Sequence, residues 1–242
     1  MPPFGTPHTV RAFDAELNTL NQKIARMGGL AETQLSNAVL ALTTTNPALA
    51  NQVIAGDDAV DTTEDSVNEL VVRMLALRQP MADDLRVVMS SLKVAGALER
   101  VADHAAGIAH RVHILKDQAP VPALKSVGRL GGLVLDLLKD SLDAYANRDT
   151  DRAVRVWERD EDVDALYSSL FRELLTYMME DPRNIAPCSH LLFVAKNLER
   201  IGDHATTVAE VTHYIATGQR LGRARPKGDT TTKLDVSGAG EG

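Results

Sequence analysis

The chain has 242 residues, 44% of them hydrophobic but only 4% aromatic, a balance that suits aliphatic helical bundles in one or two domains. A net charge of −7 argues against a nucleic-acid binder with a broad basic surface, and a single cysteine, Cys188, excludes an internal disulfide framework and fits a reducing cytoplasm. No run approaches the ~18 apolar residues of a membrane-spanning helix, and the start of the chain lacks the basic-then-apolar pattern of a secretory signal.

The first predicted helix begins near Thr6 or His8. Its apolar residues Phe13, Leu17, Leu20, Ile24, Met27, Ala31, Leu35, Ala38 and Leu42 recur in steps of three and four, the period of one long amphipathic helix. Gly28-Gly29 interrupts it. Each glycine costs up to about 1 kcal/mol in a helix interior, so the pair implies close packing or a kink. Asn46-Pro47 reads as a cap followed by proline at the first helical position. The second helix runs to about Leu77, with Val53, Val60, Val67, Leu70, Val71 and Met74 inward. It also carries an acidic stripe of Asp57, Asp61 and Glu64. Gln79-Pro80 marks a turn. A third helix reaches about Leu115 on a seam of Val94, Leu98, Val101, Ala105, Ile108 and Val112.

After a short linker from Asp117 to Pro122 the pattern starts again. Leu130-Gly131-Gly132-Leu133 echoes Met27-Gly28-Gly29-Leu30 at an offset of 103, and in the same gap-free register Asp57 matches Asp160 and Asp61 matches Asp164. Asp149 caps where Asn46 did. Asp181-Pro182 forms a second turn, tighter by three residues, and the last helix spans about 187–217 with Gly218 as its stop. From Gln219 the chain is rich in Gly, Thr and Arg without periodicity and reads as a disordered tail. The expected fold is all-α: two tandem, superposable three-helix bundles over residues 6–117 and 122–218, followed by a tail over 219–242.

Two stretches carry the chemistry. Leu98-Glu99-Arg100-Val101-Ala102-Asp103-His104-Ala105 recurs 100 residues later as Leu198-Glu199-Arg200-Ile201-Gly202-Asp203-His204-Ala205. Each sets Glu and Asp four residues apart, about 40° from each other on one helical stripe. One reading is an Arg-paired structural couple at a helix crossing. The other is an ion site, favoured because the arrangement occurs twice. Folding each copy about its turn brings Glu199 level with Asp164 and Asp203 with Asp160, and brings Glu99 and Asp103 to Asp57 and Asp61 within a turn. Four such carboxylates cannot all stay charged without a counter-ion, and oxygen donors suit iron, manganese, magnesium or calcium. His104 and His204 lie about 140° around the helix from the glutamates, so they are expected to be solvated or to meet a partner rather than to join the acids. Arg100 and Arg200 read equally as solvent-facing charges or as contacts to phosphate or a partner. Nucleotide loops and hydrolase motifs are absent from the sequence.

The duplicated Leu-Glu-Arg-Val/Ile-x-Asp-His-Ala, the Gly-Gly of each first helix, and Leu77-Arg78-Gln79-Pro80-Met81-x-x-Asp84-Leu85-Arg86 resemble the PhoU family of bacterial phosphate-uptake regulators over about residues 8–217. The resemblance implies two three-helix bundles and metal clusters at Glu99/Asp103 and Glu199/Asp203, with helix-two acids Asp57/Asp61 and Asp160/Asp164. It admits iron, zinc, manganese or magnesium. It also implies a cytoplasmic homodimer, at the inner membrane only through its partners. Those partners are the ATPase of the high-affinity phosphate transporter and the phosphate-sensing histidine kinase, and the protein dampens starvation signalling when phosphate is plentiful. Arg100, Arg200, Arg78 and Arg86 are the candidate partner-binding residues. The Arg-Gln-Pro-Met turn is present only in the first copy, because the second has Asp181-Pro182-Arg183-Asn184. Two rival readings stand beside this one: a carboxylate-bridged metalloenzyme, and a purely structural adaptor.

Overall fold

The computed structural model describes residues 7–222 and contains six long α-helices with no strand among them. They are α1 (Pro7–Thr43), α2 (Pro47–Arg78), α3 (Ala82–Leu115), α4 (Leu124–Asn147), α5 (Thr150–Glu180) and α6 (Ile185–Thr217), with one 3-10 turn at Pro182–Asn184. The all-α, two-bundle expectation holds. The expected tail lies, beyond residue 222, outside the described residues.

The helix ends follow the local chemistry. Asn46 accepts bonds from the amides of Ala48 and Leu49, each 3.1 Å, and Asp149 accepts from Arg152 at 2.9 Å, so each second helix has a side-chain cap on its unpaired amides. Asp181 caps the 3-10 turn through the amide of Arg183. Gly218 ends α6 with φ +75°, a conformation glycine adopts without strain.

The central pair, α3 and α6, join the two bundles. α3 packs on α1, α2 and α6, and α6 packs on α3, α4 and α5. Helices with several neighbours need apolar surface on more than one side. Their small residues provide it without bulk: Ala95, Ala97, Ala102, Ala105, Ala106 and Ala109 on α3, and Ala195, Gly202, Ala205 and Ala209 on α6, are all buried. The hydrophobic core is continuous across both bundles.

The Gly-Gly pairs have a packing role. A Cβ on Gly28 would lie 2.7 Å from Leu142 of α4, and one on Gly131 would lie 2.8 Å from both methyls of Val39 on α1. Val39 and Leu142 are themselves equivalent in the 103-residue register, so the contact between α1 and α4 is reciprocal. Gly29 and Gly132 face open space. We therefore expect Gly132→Ala to stabilise the protein by up to about 1 kcal/mol through helix propensity. Gly131→Ala is expected to lose that gain and about 1–3 kcal/mol more, because a β-branched valine cannot turn its methyls aside. Urea unfolding of both variants separates the two cases.

Candidate functional site

The acids of each bundle occupy the facing surfaces of its second and third helices. In the first bundle Asp57, Asp61 and Glu64 come from α2, and Glu99 and Asp103 from α3. Burial, followed by the nearby charges of Asp61, Asp103 and Asp58, raises the Asp57 carboxyl above its ordinary range, and His110 opposes the shift. Glu99 is raised by burial against the pull of Arg100, with Glu64, Asp103 and Asp61 adding to the rise. Glu64 is raised by burial and then by Asp65 and Asp61, while Arg100 lowers it. Asp103 thus senses Asp57, and Glu99 senses Asp61 and Glu64, which is the antiparallel register expected across the turn.

Glu64 of the acidic stripe also belongs to this group, beyond the four acids expected there. Its position three residues after Asp61, on the same helical face, was the available signal. The set opens to solvent: Asp61 and Asp103 are exposed, and Asp57, Glu64 and Glu99 are half-buried. Arg100 lies along its rim, 3.2 Å from Glu99 and 3.9 Å from Asp103, with its own side chain 59% exposed.

The second bundle closes the equivalent set. Asp160, Asp164 and Glu199 are buried, and Asp203 is half-buried. A Cβ on Gly202 would come within 3.7 Å of the Asp160 carboxylate, which places α5 and α6 in close apposition here. Glu199 is raised by burial, by Asp203 and by Asp164, and is lowered by Lys196. Lys196 Nζ donates to Glu199 Oε1 at 2.8 Å and stands 5.3 Å from the ring centre of Tyr167. Lys196 is thus a cation within the acid set itself, although the helical period alone puts it on the face of His204. Lysine three residues before glutamate reaches it on a helix, so the pairing was legible.

The sets are neighbouring like charges rather than closed cages. Among the described residues, no three His, Cys, Asp or Glu side chains come close enough together to hold one ion. Both sets nevertheless contain a buried oxygen without a hydrogen-bond partner, Asp57 Oδ1 in the first and Glu199 Oε2 in the second. An unsatisfied buried carboxylate oxygen is costly unless a cation or donor meets it, so the donor chemistry fits a hard divalent ion.

The histidines are half-buried and turned toward each other, although His104 Nδ1 also comes within 3.9 Å of Asp103 Oδ2. His104 and His204 stack on one another where α3 crosses α6, ring centres 5.6 Å apart. They are equivalent residues, so the stack lies on the local two-fold axis relating the bundles. Burial lowers the His104 pKa below its usual value; Asp103 counteracts this, and Arg200 and Arg100 reinforce it. Two candidate partner arginines are engaged within the chain. Arg78 forms a two-pronged ion pair with Glu16 of α1, at 3.0 and 3.1 Å. Arg86 bonds Asp83 at 2.9 Å and lies over Tyr214 beside the end of α6. Arg100 and Arg200 remain exposed. Cys188 is a buried thiol whose pKa burial raises, in keeping with a small core residue.

Comparison with known proteins places these features in a family. The PhoU domain profile matches residues 24–112 and 127–212, one match per bundle. A phosphate-specific transport system accessory protein PhoU homolog from Caulobacter vibrioides is 49% identical over 229 residues, covering 94% of this chain and 100% of that protein. The crystal structure of PhoU from Pseudomonas aeruginosa superposes with a TM-score of 0.83 at 40% identity, covering 86% of this chain and all of that one. That of the phosphate transport system regulatory protein PhoU from Streptococcus pneumoniae gives 0.80 at 31% identity, over 87% and 99% of the two chains.

Proposed function

This chain belongs to the PhoU family, and from that premise we propose that it is an accessory regulator of a phosphate-specific transport system. It restrains high-affinity phosphate uptake and silences the starvation response when phosphate is abundant. The observation that carries the reading is similarity over the full length of both bundles to a relative named for that system. Its partners in this reading are the transporter ATPase and the phosphate-sensing histidine kinase, met by a cytoplasmic homodimer. No helix among the described residues is long and apolar enough to cross a membrane; in this reading any contact with the inner membrane is made through those partners. Exposed Leu77 and Met81 beside the α2–α3 turn, with Leu85 and Met89 on α3, offer apolar surface for docking. The second turn exposes Met179 and Ile185, so neither end is restricted by chemistry to one copy.

Metal binding is part of the same proposal. Glu99, Asp103, Asp57 and Asp61, joined by Glu64, would hold iron, zinc, manganese or magnesium in the first bundle; Glu199, Asp203, Asp160 and Asp164 would do so in the second. The ion would supply positive charge that ties α2 to α3 and α5 to α6. The chain's own residues supply oxygen donors on two rigid helices and a hydrophobic floor beneath them. Turnover of dioxygen or phosphate esters by the metal-loaded protein would favour the enzyme reading instead. The regulatory reading is tested in a clean deletion strain with no paralogue: a starvation-promoter reporter is expected to stay on in phosphate-rich medium. Normal repression there would remove the assignment.

A further inference from the structure

The two carboxylate sets differ at two equivalent positions, and both differences act on the cation. Where the first copy has Gly96, the second has Lys196; where the first has Glu64, the second has Tyr167. The first set is therefore five neighbouring acids with one exposed arginine on the rim. The second is four acids with an ammonium hydrogen-bonded at 2.8 Å to a carboxylate whose side chain is only 9% exposed. Solvent screens the exposed ammonium in part, but the buried carboxylate it meets gives the pair more weight than one wholly on the surface. Tyr167 adds an aromatic face near that ammonium. Glu199 Oε2, on the other side of the same carboxylate, is buried and has no hydrogen-bond partner, so the lysine satisfies only half of the group.

We propose that Lys196 is the resident counter-ion of the second set and must leave Glu199 before that set takes a divalent metal ion, an inference that rests on the metal-binding reading above. The open first set fills first, and the second fills only at higher metal concentration. The ammonium of Lys196 exchanges the Glu199 oxygen for water, which its 39% exposed side chain can reach. The chain thus has two metal thresholds rather than one doubled site. Gly96 is what keeps the first threshold low. A Cβ there would sit 3.6 Å from Glu64 Oε1, an ordinary contact, so a lysine would fit and would find a carboxylate to pair with.

The test uses the full-length, chelator-stripped protein titrated with Mn²⁺, with bound metal counted from the loss of the free-ion electron spin resonance signal. Two binding steps are expected, and Glu99→Ala with Asp103→Ala should delete the tighter one. Lys196→Met should tighten the weaker step by about tenfold or more, and Gly96→Lys should weaken the tighter step by a similar factor. Circular dichroism melts in chelator fix the temperature range in which each variant is folded. Lysine at 96 and methionine at 196 are opposite changes, so a folding defect in one cannot imitate both shifts. Equal affinities at the two sets, unmoved by either variant, overturn the counter-ion role and leave metal binding intact. Absence of bound Mn²⁺ from both sets in every variant overturns metal binding and this proposal with it.

Discussion

Replacing Glu199 and Asp203 together with alanine is expected to abolish metal uptake by the second set while the six helices survive. The two acids share one stripe of α6 and face Asp160 and Asp164 of α5, so their removal takes half the donors from the set. A ligand that binds only the folded state stabilises it by RT ln(1 + [L]/Kd), about 4 kcal/mol at a thousandfold excess over Kd. The second set's share of that gain should vanish from melts with added manganese or iron, while the first set's share remains. In chelator the double variant should melt close to the wild type. It loses the bond from Lys196 to Glu199, but it also sheds the burial cost of Glu199, and the released ammonium can hydrate. A purely structural ion pair predicts otherwise: breaking one that is fully buried costs about 3–5 kcal/mol whether metal is present or not. A large fall in stability in chelator would therefore count against the metal reading of this stripe.

The metal-free protein is expected to become more stable as the solution is acidified from about pH 7 toward about pH 5. Asp57, Glu64, Glu99 and Glu199 are all raised above their ordinary values, burial being the largest cause in each. A carboxyl whose folded pKa exceeds its unfolded one binds more protons when folded. Its stabilising contribution is complete below the unfolded pKa and is lost as pH rises through the folded pKa. Three other groups pull the opposite way. His104, lowered chiefly by burial, loses its share as pH falls through the usual histidine range, one group against four carboxyls. Glu16 and Asp181 are lowered by their bonds to Arg78 and Arg183, so their contribution is present above the unfolded pKa and is lost as pH falls through the lowered one. Both are near the surface, and their loss belongs to more acidic solution. With metal bound the slope should reverse, because protons and the ion compete for the same oxygens. Chemical denaturation at several pH values, with and without chelator, reads both slopes. A flat profile in chelator, measured also in a His104→Gln variant that removes the histidine's opposing share, would mean the carboxylates are solvated rather than crowded.

The fold was legible because its signals are local and repeated. Steps of three and four through Leu20, Ile24 and Met27, caps at Asn46 and Asp149, and the stop at Gly218 each act within a turn or two of helix. The facing of Asp57 and Asp61 against Glu99 and Asp103 was also legible, since an antiparallel hairpin of helices fixes its own register. What the sequence could not supply was the identity of the opposing element. The 3.6-residue period assigns His104 to a face but does not say that His204 lies against it. It likewise could not distinguish packing from a kink at Gly28, because the answer is Leu142, more than a hundred residues away. The second acid set is buried, with Lys196 of α6 bonded to Glu199 and standing near the Tyr167 ring of α5. That is a difference between copies which a search for their likeness passes over.

The reciprocal seam, with Gly28 against Leu142, Gly131 against Val39 and His104 against His204, is the geometry of a two-fold dimer held inside one polypeptide. In a true homodimer the two subunits come from one gene, so every substitution is made twice and the two sides of the axis stay identical. Fusion removes that constraint. Each half can change alone while the seam preserves their shared frame, so a protein of this shape can hold a glycine on one side of its axis and a lysine on the other. Pseudosymmetry of this kind lets one ancestral site become a graded pair without any change of fold.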